Sequence, residues 1–223
     1  MEKYLRKEIK KLKAYELVEK DYRVKLDANE GIDWLDGLNR YPVDRSDKLR
    51  EKIAEKLEKN PDEIVLGNGS SELIELMMKA YLEAGETVAS FSPTFSMYKI
   101  FTIIHKGEYA DYPLEDMERL NVEAFINFVK EKKAKLVIIS NPNNPTGTLI
   151  PKKDILKIVE SVDAMVILDE AYIEFADYPQ GDETREFENL VVLRTFSKAI
   201  SLAGIRLGYM IANKETIDCI NRV

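Results

Sequence analysis

Cysteine and histidine are almost missing from these 223 residues, which hold one of each, Cys219 and His105. A single thiol excludes an internal disulfide framework and a thiolate metal cluster. A single imidazole excludes zinc sites and catalytic triads that rely on several histidines. Within Ile103-Ile104-His105-Lys106, His105 reads as a surface or packing residue. No apolar run approaches the roughly 20 residues of a membrane span. Residues 3–8 lack the apolar core of a signal peptide, so a cytoplasmic location is expected. Basic charge is in deficit too: 33 Lys and Arg stand against 40 Asp and Glu, a net charge of −7. That argues against a nucleic-acid partner, a local basic groove apart. What is present is the composition of a soluble globular protein, 45% hydrophobic and 33% charged, without repeats or low-complexity tracts.

The pattern along the chain alternates. Residues 24–27 read as a short strand, and Leu49, Ile53 and Leu57 as a helix over 47–59 that Pro61 stops. Strands are predicted at 64–66, 87–91, 107–112, 136–140, 165–168, 190–193 and 207–212. Helices are predicted at 72–83, 95–104, 122–133 and 152–162. The runs at 136–140 and 165–168 are continuously apolar, the mark of strands buried on both faces. Such alternation predicts an α/β fold, a largely parallel sheet covered by helices. Ligands of these sheets bind at the carboxyl ends of the strands.

The chemistry-bearing residues fall at those ends. Gly67-Asn68-Gly69-Ser70-Ser71-Glu72 leads from strand to helix, where the N–H groups of Ser70, Ser71 and Glu72 suit an anion; a serine N-cap is the plainer reading. Asn141-Pro142-Asn143-Asn144-Pro145-Thr146-Gly147 is a stiff loop in which Asn144 could donate to a ring oxygen, or simply make a turn. Asp169 ends an apolar run, where an ionised carboxylate is costly without a cation. A protonated pyridine nitrogen would be such a cation; an N-cap or structural ion pair would also explain it. Tyr172 follows three residues later, and Thr195-Phe196-Ser197-Lys198 precedes Arg206 by eight. A lysine amine can attack a carbonyl, and an arginine can clamp a phosphate. In this order the residues supply an amine, an acid for a pyridinium, partners for a phenolate oxygen and a cation for a phosphate. Those are the needs of pyridoxal phosphate (PLP).

These residues resemble the PLP-dependent aminotransferases of the aspartate-aminotransferase fold, most closely the histidinol-phosphate aminotransferases. The resemblance rests on Leu12-Lys13-Ala14-Tyr15-Glu16, Leu26-Asp27-Ala28-Asn29-Glu30, Arg40-Tyr41-Pro42, Gly67–Glu72, Pro93-Thr94-Phe95 and residues 140–147, 169–172 and 195–209. It implies a seven-stranded, mostly parallel sheet with helices on both faces and the last strand antiparallel. Lys198 would join the cofactor and shuttle a proton, Asp169 would pair the pyridinium, and Asn144 and Tyr172 would bond the phenolic oxygen. Phe95 would stack on the ring. Ser70, Ser71, Glu72, Thr195, Ser197 and Arg206 would hold the phosphate. Tyr41 would reach the partner subunit's phosphate in a homodimer, and Tyr15 and Asn29 would lie near the substrate.

Members of that family continue into a small C-terminal domain with an arginine for the substrate carboxylate. This sequence stops at Val223. The expected organisation is therefore an N-terminal arm and substrate-proximal segment over 1–40 and a PLP-binding large domain over 41–223, the small domain being absent from this chain. The expected reaction is transamination between histidinol phosphate and 2-oxoglutarate. Alternatives are a threonine-phosphate decarboxylase, an aromatic-amino-acid aminotransferase, or a truncated, non-catalytic PLP-binding or dimerisation module. A dinucleotide-binding protein lacks support, since no Gly-x-Gly-x-x-Gly follows the first strand.

Overall fold

The computed structural model describes residues 1–14, 23–24, 29–31, 39, 41, 47–116, 119–176, 184 and 186–223. The expected strand at 24–27 lies outside them except for Val24, which is in a bend.

Seven strands form one sheet: β1 (Ile64–Asn68), β2 (Thr87–Ser92), β3 (Glu108–Pro113), β4 (Leu136–Ser140), β5 (Met165–Asp169), β6 (Leu190–Thr195) and β7 (Leu207–Ile211). Their order is β1-β7-β6-β5-β4-β2-β3. Only β7 runs antiparallel, between β1 and β6; the other pairs are parallel. The expected sheet is thus present, its last strand reversed and inserted in the interior.

Successive side chains of a strand point to opposite faces, and both faces are covered. Leu136 and Ile138 of β4, Met165 and Ile167 of β5, and Val191 and Leu193 of β6 pack into one core with α2 (Gly69–Tyr81), α3 (Met97–Ile104) and α6 (Lys214–Ile220). Val137, Ile139, Val166, Leu168, Leu190 and Val192 face the other way. They meet α1 (Asp47–Lys56), α4 (Val122–Glu131) and α5 (Lys152–Ser161). This explains the unbroken apolar runs at 136–140 and 165–168. Met1, Tyr4, Leu5 and Ile9 join the first core, and the Arg6 N–H donates to the Ala80 carbonyl at 2.9 Å.

The helix ends have local causes. Asn121 and Asn213 cap α4 and α6 by accepting from the N–H groups of Ala124 and Thr216. α1 ends three residues short of the expected 59. Glu58 turns left-handed there, at φ 55°, and the Lys59 N–H returns to the Ala54 carbonyl. α2 starts three residues early, at Gly69, because the Glu72 carboxylate reaches back to the Asn68 N–H at 2.6 Å. Ser70 and Ser71 therefore lie inside the helix and do not cap it.

Candidate active site

β4 ends at Ser140 as expected, while β5 and β6 run one and two residues further toward their carboxyl ends, so Asp169 and Thr195 are their last residues. Beyond them lies a cleft of about 200 Å³. Asp169 is 4% exposed on its floor. One carboxylate oxygen accepts from the Tyr98 hydroxyl at 2.7 Å and the other from the Ala171 N–H at 3.1 Å. Burial pushes the Asp169 carboxyl up; the Tyr98 hydroxyl, the Ala171 N–H and the Lys198 charge pull it back only in part. Asp169 makes no ion pair within 4.0 Å among the described residues.

Lys198 stands at the exposed rim, its Nζ 5.2 Å from the centroid of the Tyr172 ring. Phe95 lines the wall and packs edge-on against Tyr98, ring centroids 5.5 Å apart. The loop after β4 divides its three asparagines by task. Asn141 is clamped to both backbone groups of Ile150. Asn143 bonds the Pro93 carbonyl and the Thr94 and Thr146 hydroxyls. Asn144 lines the cleft with its amide uncommitted among the described residues.

Another part of the cleft gathers hydroxyls and a guanidinium. Ser70 and Ser71 in the first turn of α2, Ser197 and Arg206 all line it. Arg206 has a left-handed backbone, φ 55°, a conformation that costs about 1–3 kcal/mol outside glycine. Its guanidinium lies over Gly69, where an added Cβ would meet Nη2 at 2.5 Å. Gly208 of β7 lets the strand touch α2, since a Cβ there would come within 2.5 Å of the Ser70 nitrogen. The Thr195 hydroxyl donates to the Leu207 carbonyl and accepts from the Ser197 N–H, so it shapes the turn that presents Ser197.

Behind the site Glu170 and Arg194 form a buried pair, with contacts of 2.7 and 2.8 Å from one guanidinium. Burial drives the Glu170 carboxyl up, and the Arg194 guanidinium, both of whose contacts fall on Oε2, pulls it back only in part. The pair ties the end of β5 to β6.

The cleft thus gathers Ser70, Ser71, Phe95, Asn144, Asp169, Tyr172, Thr195, Ser197, Lys198 and Arg206. Other expected site residues stand apart. The Glu72 side chain turns to Asn68. Tyr41 is 62% exposed and absent from the cleft lining, its N–H donating to the Glu30 carboxylate. Asn29 is exposed with φ 52° and also lies off the lining. Tyr15 falls outside the described residues. His105 caps the end of α3 away from the cleft, half-buried, with burial lowering its pKa. Sequence reasoning missed Tyr98 and Ser140. Tyr98 follows Phe95 by three residues on an apolar helix, where its sequence signal is that of a packing residue.

The aminotransferase class I and II family model matches residues 19–223. The histidinol-phosphate aminotransferase of Clostridium novyi (strain NT) is 37% identical over all of this chain, which spans 67% of that relative. Among solved structures, histidinol-phosphate aminotransferase from Sinorhizobium meliloti, in complex with pyridoxal-5'-phosphate, superposes with a TM-score of 0.74 at 26% identity. That match covers 79% of this chain and 49% of the other. The aromatic aminotransferase from Pyrococcus horikoshii OT3 gives a TM-score of 0.70 at 32% identity, over 78% of this chain and 51% of the other. The chain spans about two-thirds of the curated relative and about half of the solved chains it matches. With the family model matching nearly the whole chain, and the cleft at the strand ends where the sequence placed it, this chain belongs to the class I and II aminotransferases.

Proposed function

We propose that this chain binds PLP and serves transamination between histidinol phosphate and 2-oxoglutarate, in histidine biosynthesis in the cytoplasm. The observation that carries the reading is Asp169, a buried carboxylate that makes no ion pair among the described residues and shares one cleft with Lys198 at the rim and with Ser70, Ser71 and Arg206. A flat cationic heterocycle with a phosphate tail fits that arrangement. When bound, PLP supplies an electrophilic carbonyl carbon and a ring that accepts an electron pair. Asp169 holds the proton on the ring nitrogen. Phe95 covers a ring face and keeps water from it, and the Asn144 amide and Tyr172 hydroxyl orient the phenolic oxygen. The first-turn N–H groups of α2, the Ser197 hydroxyl and the Arg206 guanidinium hold the phosphate. Lys198 would supply the amine that joins the carbonyl carbon with release of water, and the same amine would later carry a proton to and from the substrate carbon.

Borohydride reduction and peptide mapping of PLP-treated protein should place the label on Lys198. A label on another lysine, or none on folded protein, overturns the reading. The aromatic aminotransferase superposes nearly as well as the S. meliloti enzyme. Histidinol phosphate and aromatic amino acids should therefore be compared as donors, in a protein extended to the full length of its relatives.

A further inference from the structure

We infer that Tyr98 is a positioning residue for Asp169: its hydroxyl keeps the carboxylate ionised and aimed into the cleft, ready for a protonated ring nitrogen. The inference rests on the PLP reading of the site and extends it to a residue that the motifs do not include. Tyr98 is completely buried on α3, yet its hydroxyl meets Asp169 Oδ2 at 2.7 Å across 71 residues of sequence. The Ala171 N–H engages Oδ1. A donor on each oxygen holds the carboxylate in one orientation where it lines the cleft. Phenylalanine would fill the same apolar slot, so packing alone does not call for the hydroxyl. Nor can the hydroxyl lose its proton easily: burial and the adjacent Asp169 charge hold the phenol well above its ordinary pKa, so it remains a donor. The groups facing Asp169 are Tyr98 from α3 and Lys198 from the loop after β6, with Glu170 next along the chain. Lys198 is exposed at the rim. Tyr98 is therefore the side-chain donor that stays dry when the cleft is open.

Two measurements on Tyr98→Phe test this without turnover. In cofactor-free protein carrying carboxyl-labelled aspartate, the Asp169 resonance is identified by its loss in Asp169→Asn. Its titration should move upward in Tyr98→Phe, because a donor to the charged form has gone. PLP affinity should fall about 10- to 100-fold, the range of a hydrogen bond to a charged group. In the Asp169→Asn background the same change should alter affinity less than about threefold, because the charge through which Tyr98 acts is gone. An unmoved resonance, or an equal loss of affinity in both backgrounds, overturns the inference and makes Tyr98 a packing residue. Failure of the unmutated protein to bind PLP overturns the site reading, and the inference with it. Tight binding by the unmutated protein and by Tyr98→Phe alike overturns the inference alone. Should Tyr98→Phe fold poorly, Ala171→Pro removes the donor on the other oxygen, and an Asp169 titration unmoved by that change would equally overturn the two-donor account.

Discussion

At the scale of single residues, Asp169 places function and stability in opposition. A carboxyl whose folded pKa lies above its unfolded one contributes its stability fully below the unfolded value. It loses that contribution as pH rises through the folded value. Asp169 is shifted this way by burial. Cofactor-free protein should thus lose stability as pH rises through and above the ordinary carboxylate range. Asp169→Asn should remove part of that loss, seen as a higher melting temperature than the unmutated protein at neutral pH. The same substitution should weaken PLP by roughly 10- to 150-fold, the equivalent of about 1.5–3 kcal/mol for a charged hydrogen bond. Melting curves against pH and a cofactor titration measure both effects. A variant less stable at neutral pH would show that Asp169 is stabilised by its surroundings even without a cation. Glu170 behaves differently because Arg194 is already in place. Glu170→Ala strands a buried guanidinium and should cost about 3–5 kcal/mol in chemical denaturation.

At the scale of elements, the close contact between β7 and the start of α2 is the feature most exposed to a small change. A Cβ on Gly208 would meet the Ser70 nitrogen at 2.5 Å and the Gly69 carbonyl carbon at 2.6 Å, both backbone atoms with little freedom to yield. Gly208→Ala should lower stability by about 1–3 kcal/mol. It should also weaken inorganic phosphate and PLP together, since the first turn of α2 must move. Loss of stability with phosphate binding intact would separate the helix start from the anion site. The strands were legible because two buried faces demand unbroken apolar runs, and Gly, Asn and Pro mark their ends. Asn144 was named from the loop and the resemblance, but the tasks of Asn141 and Asn143 were not legible, since their partners, Ile150, Pro93 and Thr94 among them, are brought together by the fold. The tie between Tyr98 and Asp169 was not legible, because a tyrosine within an apolar helix looks like packing until β5 is placed against it. The helix limits at 56 and 69 were hidden too. They turn on one left-handed residue, Glu58, and one reach-back carboxylate, Glu72.

At the scale of the whole molecule, Tyr41 lies off its own cleft and is largely exposed, as suits a residue that serves a second subunit. Mixed dimers of Tyr41→Phe and Lys198→Ala subunits, in the full-length background, should recover activity that neither parent has. One site would then carry both lesions and the other neither, so the hybrid should approach half of the unmutated rate. Hybrids no better than their parents would keep Tyr41 out of the partner's site. The order of the sheet has a consequence for how the chain is made. Among the described residues β1 pairs with β7 alone, and β7 is the last of the seven strands in sequence. During synthesis β2 to β6 can associate as they emerge, while β1, which leads into α2, has no strand partner among the described residues until residues 207–211 leave the ribosome. Pairings of such long sequence separation form slowly. The part of the cleft formed by Ser70, Ser71 and Arg206 is therefore completed after the strands that carry Asp169 and Thr195 have paired.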